Sequence, residues 1–103
     1  MRRASAVDAN QPAVVAALRK IGASVTPLHA VGKGVPDLLV GYRHQTWLIE
    51  VKDGAKPPSA RGLTPDQIEW HATWRGGPVV VVTDADAAMA IVTGQVNLKG
   101  KIE

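Results

Sequence analysis

The sequence contains no cysteine, which excludes a disulfide framework and any zinc site built on thiolates. It has no phenylalanine and a single tyrosine, so a sheet of base-stacking aromatics of the RNA-recognition type is not expected. No apolar run approaches the roughly 20 residues of a bilayer span. The basic start Met1-Arg2-Arg3 is not followed by the apolar stretch of a signal peptide. No repeat, low-complexity tract or second domain is visible. His29, His44 and His71 fall at no metal-ligand spacing, and Ser5, Ser24 and Ser59 stand in no nucleophile-elbow context. What remains is one domain of 103 residues, expected in a reducing cytoplasm and able to bury about two-thirds of its unfolded surface. Its formal charge of +3 is compatible with a polyanionic partner.

The informative stretch is residues 35–53, V-P-D-L-L-V-G-Y-R-H-Q-T-W-L-I-E-V-K-D. Two apolar runs flank a polar break at Arg43-His44-Gln45, which predicts a β-hairpin. Alternate residues of a strand share a face, so Glu50 and Lys52 point one way while Trp47, Ile49 and Val51 point the other. Residues directly opposite in an antiparallel pair also share a face. An even loop, Arg43-His44 or His44-Gln45, sets Asp37 opposite Glu50 or Lys52, and the three groups converge. An odd three-residue loop sends Asp37 to the other face unless a bulge intervenes. The sequence lacks the Asn-Gly or Gly-X that two-residue loops favour, so parity permits the cluster without requiring it.

Around the hairpin, helical spacing of Val14, Val15, Leu18 and Ile21 predicts a helix over 9–21, capped by Asp8 or Asn10 and closed by Gly22. A strand or extended link is expected over 23–30, then a glycine loop, Val31-Gly32-Lys33-Gly34. That loop is either a plain turn or a place where Lys33 meets a phosphate. Residues 53–62, rich in proline and glycine and carrying Lys56 and Arg61, form either a solvated connector or a basic loop on a nucleic-acid backbone. Thr64-Pro65-Asp66-Gln67 has the form of a capping box opening a helix that Gly76-Gly77 stop. Trp70 and Trp74 on that helix, like Trp47, serve either core or interface. Val79–Val82 is expected as a strand buried on both faces, in a parallel βαβ unit with 46–52. Asp84 caps a last helix over 85–92. Residues 1–7 are expected as a flexible basic arm and 95–103 as a tail. The predicted order is helix-strand-strand-strand-helix-strand-helix, an α/β fold with a mixed sheet of about four strands flanked by helices.

Carboxylates at the ends of two apolar strands are costly unless used. Asp37 and Glu50 are hard oxygen donors of the kind Mg2+ takes in phosphodiester hydrolysis. The backbone carbonyl of Val51 offers a third oxygen, and Lys52 can orient water or neutralise charge on a phosphate. Glu-x-Lys on its own is more often a solvated strand face; its joint occurrence with Asp37 gives it weight.

P-D-L-L-V…L-I-E-V-K resembles the PD-(D/E)xK nuclease superfamily. The following L-T-P-D-Q-I-E-W-H is similar to the glutamine-bearing helix of its virus-type replication-repair branch, VRR-NUC, and most of all to short phage-type stand-alone members. The resemblance spans about residues 9–92. It implies a restriction-endonuclease-like core and a metal-dependent endonuclease using Mg2+, with Mn2+ as substitute. It further implies a homodimer on branched DNA such as four-way (Holliday) junctions, in the bacterial host cytoplasm if phage-type. By resemblance Asp37 and Glu50 bind metal, Lys52 is the catalytic lysine, and Gln67 lies beside the site or serves its capping box alone. The family places a glutamate on its first helix; here that position offers Asn10 or Gln11, with Asp8 nearby, and an amide is the weaker metal ligand. A non-catalytic nucleic-acid-binding module on the same fold, or a nuclease acting on RNA, are the other readings.

Overall fold

Local signals in the chain set most element boundaries of the computed structural model, which describes residues 7–94. The expected arm, apart from Val7, and the tail over 95–103 lie outside the described residues. The elements are α1 (Gln11–Lys20), β1 (Ser24–Pro27), β2 (Leu38–Tyr42), β3 (Gln45–Val51), α2 (Pro65–Thr73), β4 (Val79–Val82) and α3 (Ala85–Val92), with a single 3-10 turn at Pro58–Ala60. The order is the expected one. The sheet runs β1-β2-β3-β4, antiparallel between its first three strands and parallel between β3 and β4.

Two elements are shorter than the spacing predicts. α1 begins at Gln11 because Asn10, its N-cap, makes no side-chain cap bond and spends its amide elsewhere. β1 stops at Pro27, after which Leu28 N–H bonds to the Asp37 carbonyl and the chain turns. The connector over 53–62 also holds more structure than expected, the 3-10 turn that Pro58 opens.

The hairpin closes through a two-residue loop, with Tyr42 paired to Gln45. Arg43 and His44 both adopt left-handed backbone, φ 51° and 66°, the geometry such loops require though neither residue is glycine or asparagine. The Arg43 guanidinium lies 5.0 Å over the Tyr42 ring, a contact that helps to hold the turn. The register is therefore even. Leu38 faces Ile49, and one step further along the same register sets Asp37 across from Glu50.

One face of the sheet carries the core. Val25, Val40 and Trp47 lie in one row across β1–β3, and Leu38 and Ile49 in the next. They pack with Val14 and Leu18 of α1 and Ala88 and Val92 of α3. Leu18, Leu38 and Ile49 are fully buried, each stabilising the fold by about 1.5–3 kcal/mol. Trp47 thus belongs to the core. The opposite face holds Leu39, Leu48, Val79 and Val81 in the same parity as Glu50. α2, none of whose residues is buried, lies on that side. The expectation that β4 is buried on both faces fails there: Val81 is 47% exposed, because β4 is an edge strand and α2 leaves it uncovered. Among the described residues no helix is long and apolar enough to cross a membrane.

Candidate active site

Asp37, buried after Pro36, sits one residue before β2. Its Oδ2 accepts the Val51 N–H at 2.7 Å, satisfying a β3 donor just past the end of the β2 ladder. That bond fixes the carboxylate beside Glu50, the next-to-last residue of β3. Glu50 is 2% exposed. Its Oε2 accepts from Gln67 Nε2 at 2.9 Å and lies 3.7 Å from Lys52 Nζ, while its Oε1 is buried with no partner. Lys52 is also buried and donates to Gln67 Oε1 at 2.8 Å.

Gln67 connects this cluster to α2. The Thr64 hydroxyl accepts the Gln67 N–H, and Gln67 Oε1 accepts the Thr64 N–H at 2.9 Å. The same amide oxygen therefore serves the capping box and the lysine, while the amide nitrogen serves the glutamate. Capping and contact with the acid cluster coexist in one side chain. His71, one turn further along α2, has its ordinary pKa lowered by burial and by the charge of Lys52.

Burial pushes the Glu50 carboxyl up to about 8. The Asp37 charge, and the hydrogen bond that a protonated Glu50 can give Asp37, add to the rise, as does Asp8, and Lys52 opposes it. A carboxylate removed from water beside another carboxylate holds its proton unless positive charge arrives.

A cleft of about 280 Å³ opens onto the cluster, lined by Asp8, Lys33, Asp37, Glu50, Lys52 and Gln67, with Gly34, Val35, Thr64 and Asp66 completing its wall. Lys33 reaches it through a left-handed turn: Gly32, Lys33 and Gly34 have φ of 71°, 57° and 81°. A Cβ on Gly34 would run into the Asp66 carbonyl, so only glycine lets this turn lie against the start of α2. Lys56 pairs with Asp8 at 3.7 Å, which draws the connector toward the cleft. Arg61 does not line it.

The two amides expected from the first helix are not among the cleft residues. Asn10 Nδ2 donates to the carbonyls of Lys52 at 3.1 Å and Thr83 at 2.9 Å, tying together the ends of β3 and β4. Gln11 is buried beneath a separate apolar groove beside Val15 and Pro27. Asp8 takes the place at the cleft. With the helix starting at Gln11, Asp8 is released from capping and turns toward Glu50. Its sequence signals were an acid just before a helix, which capping explains equally well, and nearness to the first-helix position where the family places a glutamate. Among the described residues, no three or more His, Cys, Asp or Glu side chains form a ready metal cage.

A four-stranded mixed sheet with an acid before one hairpin strand, Glu-x-Lys at the end of the next, and a glutamine helix folded over both defines the PD-(D/E)xK nuclease fold. A solved structure described as a VRR_NUC domain superposes on this chain with a TM-score of 0.60 at 26% identity, covering 86% of this chain and 100% of that one. The chain is therefore similar to a VRR-NUC nuclease domain over most of its length and shares its α/β fold. No family model matches the sequence, and a search of curated proteins gives no match.

Proposed function

We propose that this chain is a metal-dependent endonuclease that hydrolyses DNA phosphodiester bonds, acting as a homodimer on branched DNA such as four-way junctions. The observation that carries the reading is the buried cluster of Asp37, Glu50 and Lys52, bound together by Gln67 and open to one cleft. So much buried polarity is costly in a fold that does not use it.

The donors fit a hard dication. Glu50 Oε1 is buried without a partner, and the raised Glu50 pKa marks a place short of positive charge. Asp37, Glu50 and the Val51 carbonyl would hold Mg2+, with Mn2+ as substitute and water in the remaining positions. The bound ion supplies charge relief on the phosphate and a more acidic water. The chain's residues do the rest. Val51 N–H keeps Asp37 aimed at the cleft. Gln67 holds the Lys52 ammonium beside Glu50, where its Nζ can donate to a phosphate oxygen or to the attacking water. Lys33, at the cleft wall, with Lys56 and Arg61 on the connector, offers charge to neighbouring phosphates.

The absence of a carboxylate on α1 itself favours one other reading, a DNA-binding module that does not cut. Cleavage of a labelled four-way junction, with a linear duplex control, in Mg2+, Mn2+ and EDTA separates the two. Metal-dependent paired cuts in the junction support the enzyme. Binding without cutting in either metal sinks it in favour of the module. Cutting of a matched RNA in preference to DNA would move the substrate class.

A further inference from the structure

The two edges of the sheet are built differently. At β1, the Arg19 guanidinium donates to the Val25 carbonyl at 3.0 Å, and Pro27 removes a backbone donor. Both blunt the edge against further pairing. At β4, none of these devices is present among the described residues. Val79–Val82 is a run of four valines with no charge, proline or bulge. The carbonyls of Pro78 and Val82 accept from Leu48 and Lys52. The alternate residues, Val79 and Val81, therefore turn their N–H and C=O groups outward, away from β3.

We propose that β4 pairs antiparallel with β4 of a second copy of this chain across a two-fold axis, joining two four-stranded sheets into one. Three observations select a second copy as the occupant. A run of identical β-branched residues meets itself valine on valine in the registers centred on Val80 or Val81. The charges at its two ends are opposite: exposed Arg75 precedes the strand, and exposed Asp84 and Asp86 follow it. No described residue forms an ion pair with Arg75 or Asp86, the described pairs being those of Lys52 and Lys56. Antiparallel pairing brings the Arg75 end of each copy to the acidic end of the other. Finally, a four-residue edge alone falls short of the roughly 800 Å² per partner of a standard interface, and further apolar surface lies beside it. Val81 is half-exposed, and Trp74, 42% exposed, is tied to Gly77 at the start of the strand by its indole N–H.

The interface rests on the sheet edge; only its consequence for the sites draws on the nuclease reading. A two-fold axis of this kind is perpendicular to the sheet, so both α2 helices and both clefts lie on the same face. With strands about 4.8 Å apart, the two β3 strands are three intervals apart. The Glu50 backbones then lie roughly 15 Å from one another, a spacing fit for paired cuts on one substrate.

Sedimentation equilibrium on the full chain tests this. The wild type is expected to be a dimer. Val81→Pro removes an outward N–H and no bond to β3, so it should give a folded monomer by circular dichroism. Arg75→Glu and Asp86→Arg should each weaken the dimer about 10-fold, and the double variant should restore it. If Val81→Pro fails to fold, the charge exchange carries the test. A monomeric wild type, or a double variant no tighter than either single one, overturns the interface. So does a monomer in which hydrogen exchange finds the Val79 and Val81 amides protected, because the chain's own remaining residues would then cover the edge. Cutting activity is a separate readout. A dimer that cuts nothing leaves the interface standing and sinks the nuclease, whereas a monomer that cuts sinks the interface alone.

Discussion

Replacing Glu50 by glutamine should stabilise the metal-free protein, and the gain should grow with pH. The carboxyl of Glu50 titrates near 4.5 in an unfolded chain and at about 8 in the fold. Below pH 4.5 both states hold the proton and the group contributes no difference. Between 4.5 and 8 the unfolded carboxyl ionises freely while the folded one keeps its proton, so the native state is progressively penalised as pH rises. Above 8 the penalty is complete. At about 1.4 kcal/mol per pH unit, the interval sets a ceiling near 5 kcal/mol. Local relaxation and water entry around the buried carboxylate reduce what is expected at pH 8 to about 2–3 kcal/mol.

An amide removes this titration while keeping the hydrogen bonds. Its oxygen can accept from Gln67 Nε2 as Glu50 Oε2 does. Its nitrogen can donate toward the neighbouring Asp37 carboxylate. Urea unfolding in EDTA at pH 5, 6, 7 and 8 measures the outcome: the difference between Glu50→Gln and wild type should be smallest at pH 5 and widen toward pH 8. In Mg2+ the order should reverse, since only the wild type gains from the ion. Parallel profiles across this range would refute the claim that Glu50 is held protonated in the fold.

Three further outcomes are expected. Lys52→Ala should lower junction cleavage at least about 100-fold with Mg2+ binding retained by calorimetry; normal cutting would remove Lys52 from the chemistry. Gly34→Ala, whose new methyl meets the Asp66 backbone at φ 81°, should cost about 1–3 kcal/mol and lower cleavage by shifting the start of α2; an unchanged melting temperature would show that the turn does not pack there. Asn10→Ala should cost about 1–2 kcal/mol through its two lost carbonyl contacts while leaving metal affinity unchanged, whereas a marked loss of affinity would make Asn10 a ligand.

Local rules carried much of this fold. The capping box at Thr64, the glycine stop after Ile21 and the Asp84 cap each rest on bonds within a few residues, so the chain alone specifies them. The parallel βαβ unit and the sharing of one face by Glu50 and Lys52 follow from strand periodicity and chain connectivity. The family resemblance added Gln67 as a neighbour of the acids, a point that local reading could not separate from simple capping.

Tertiary structure decided the rest, because it turned on competition between distant partners. The hairpin parity depended on Arg43 and His44 accepting left-handed backbone without glycine, and only the assembled turn shows that they do. Asn10 is drawn to the carbonyls of Lys52 and Thr83, 42 and 73 residues away. That leaves Asp8, rather than an amide of α1, at the cleft. The valine run of β4 has the composition of a strand buried on both faces, yet its hydrophobicity says nothing about its place in the sheet. Sequence fixes which residues prefer a strand; which strand is left at the edge, with Val79 and Val81 facing outward, is a property of the order in which strands pair.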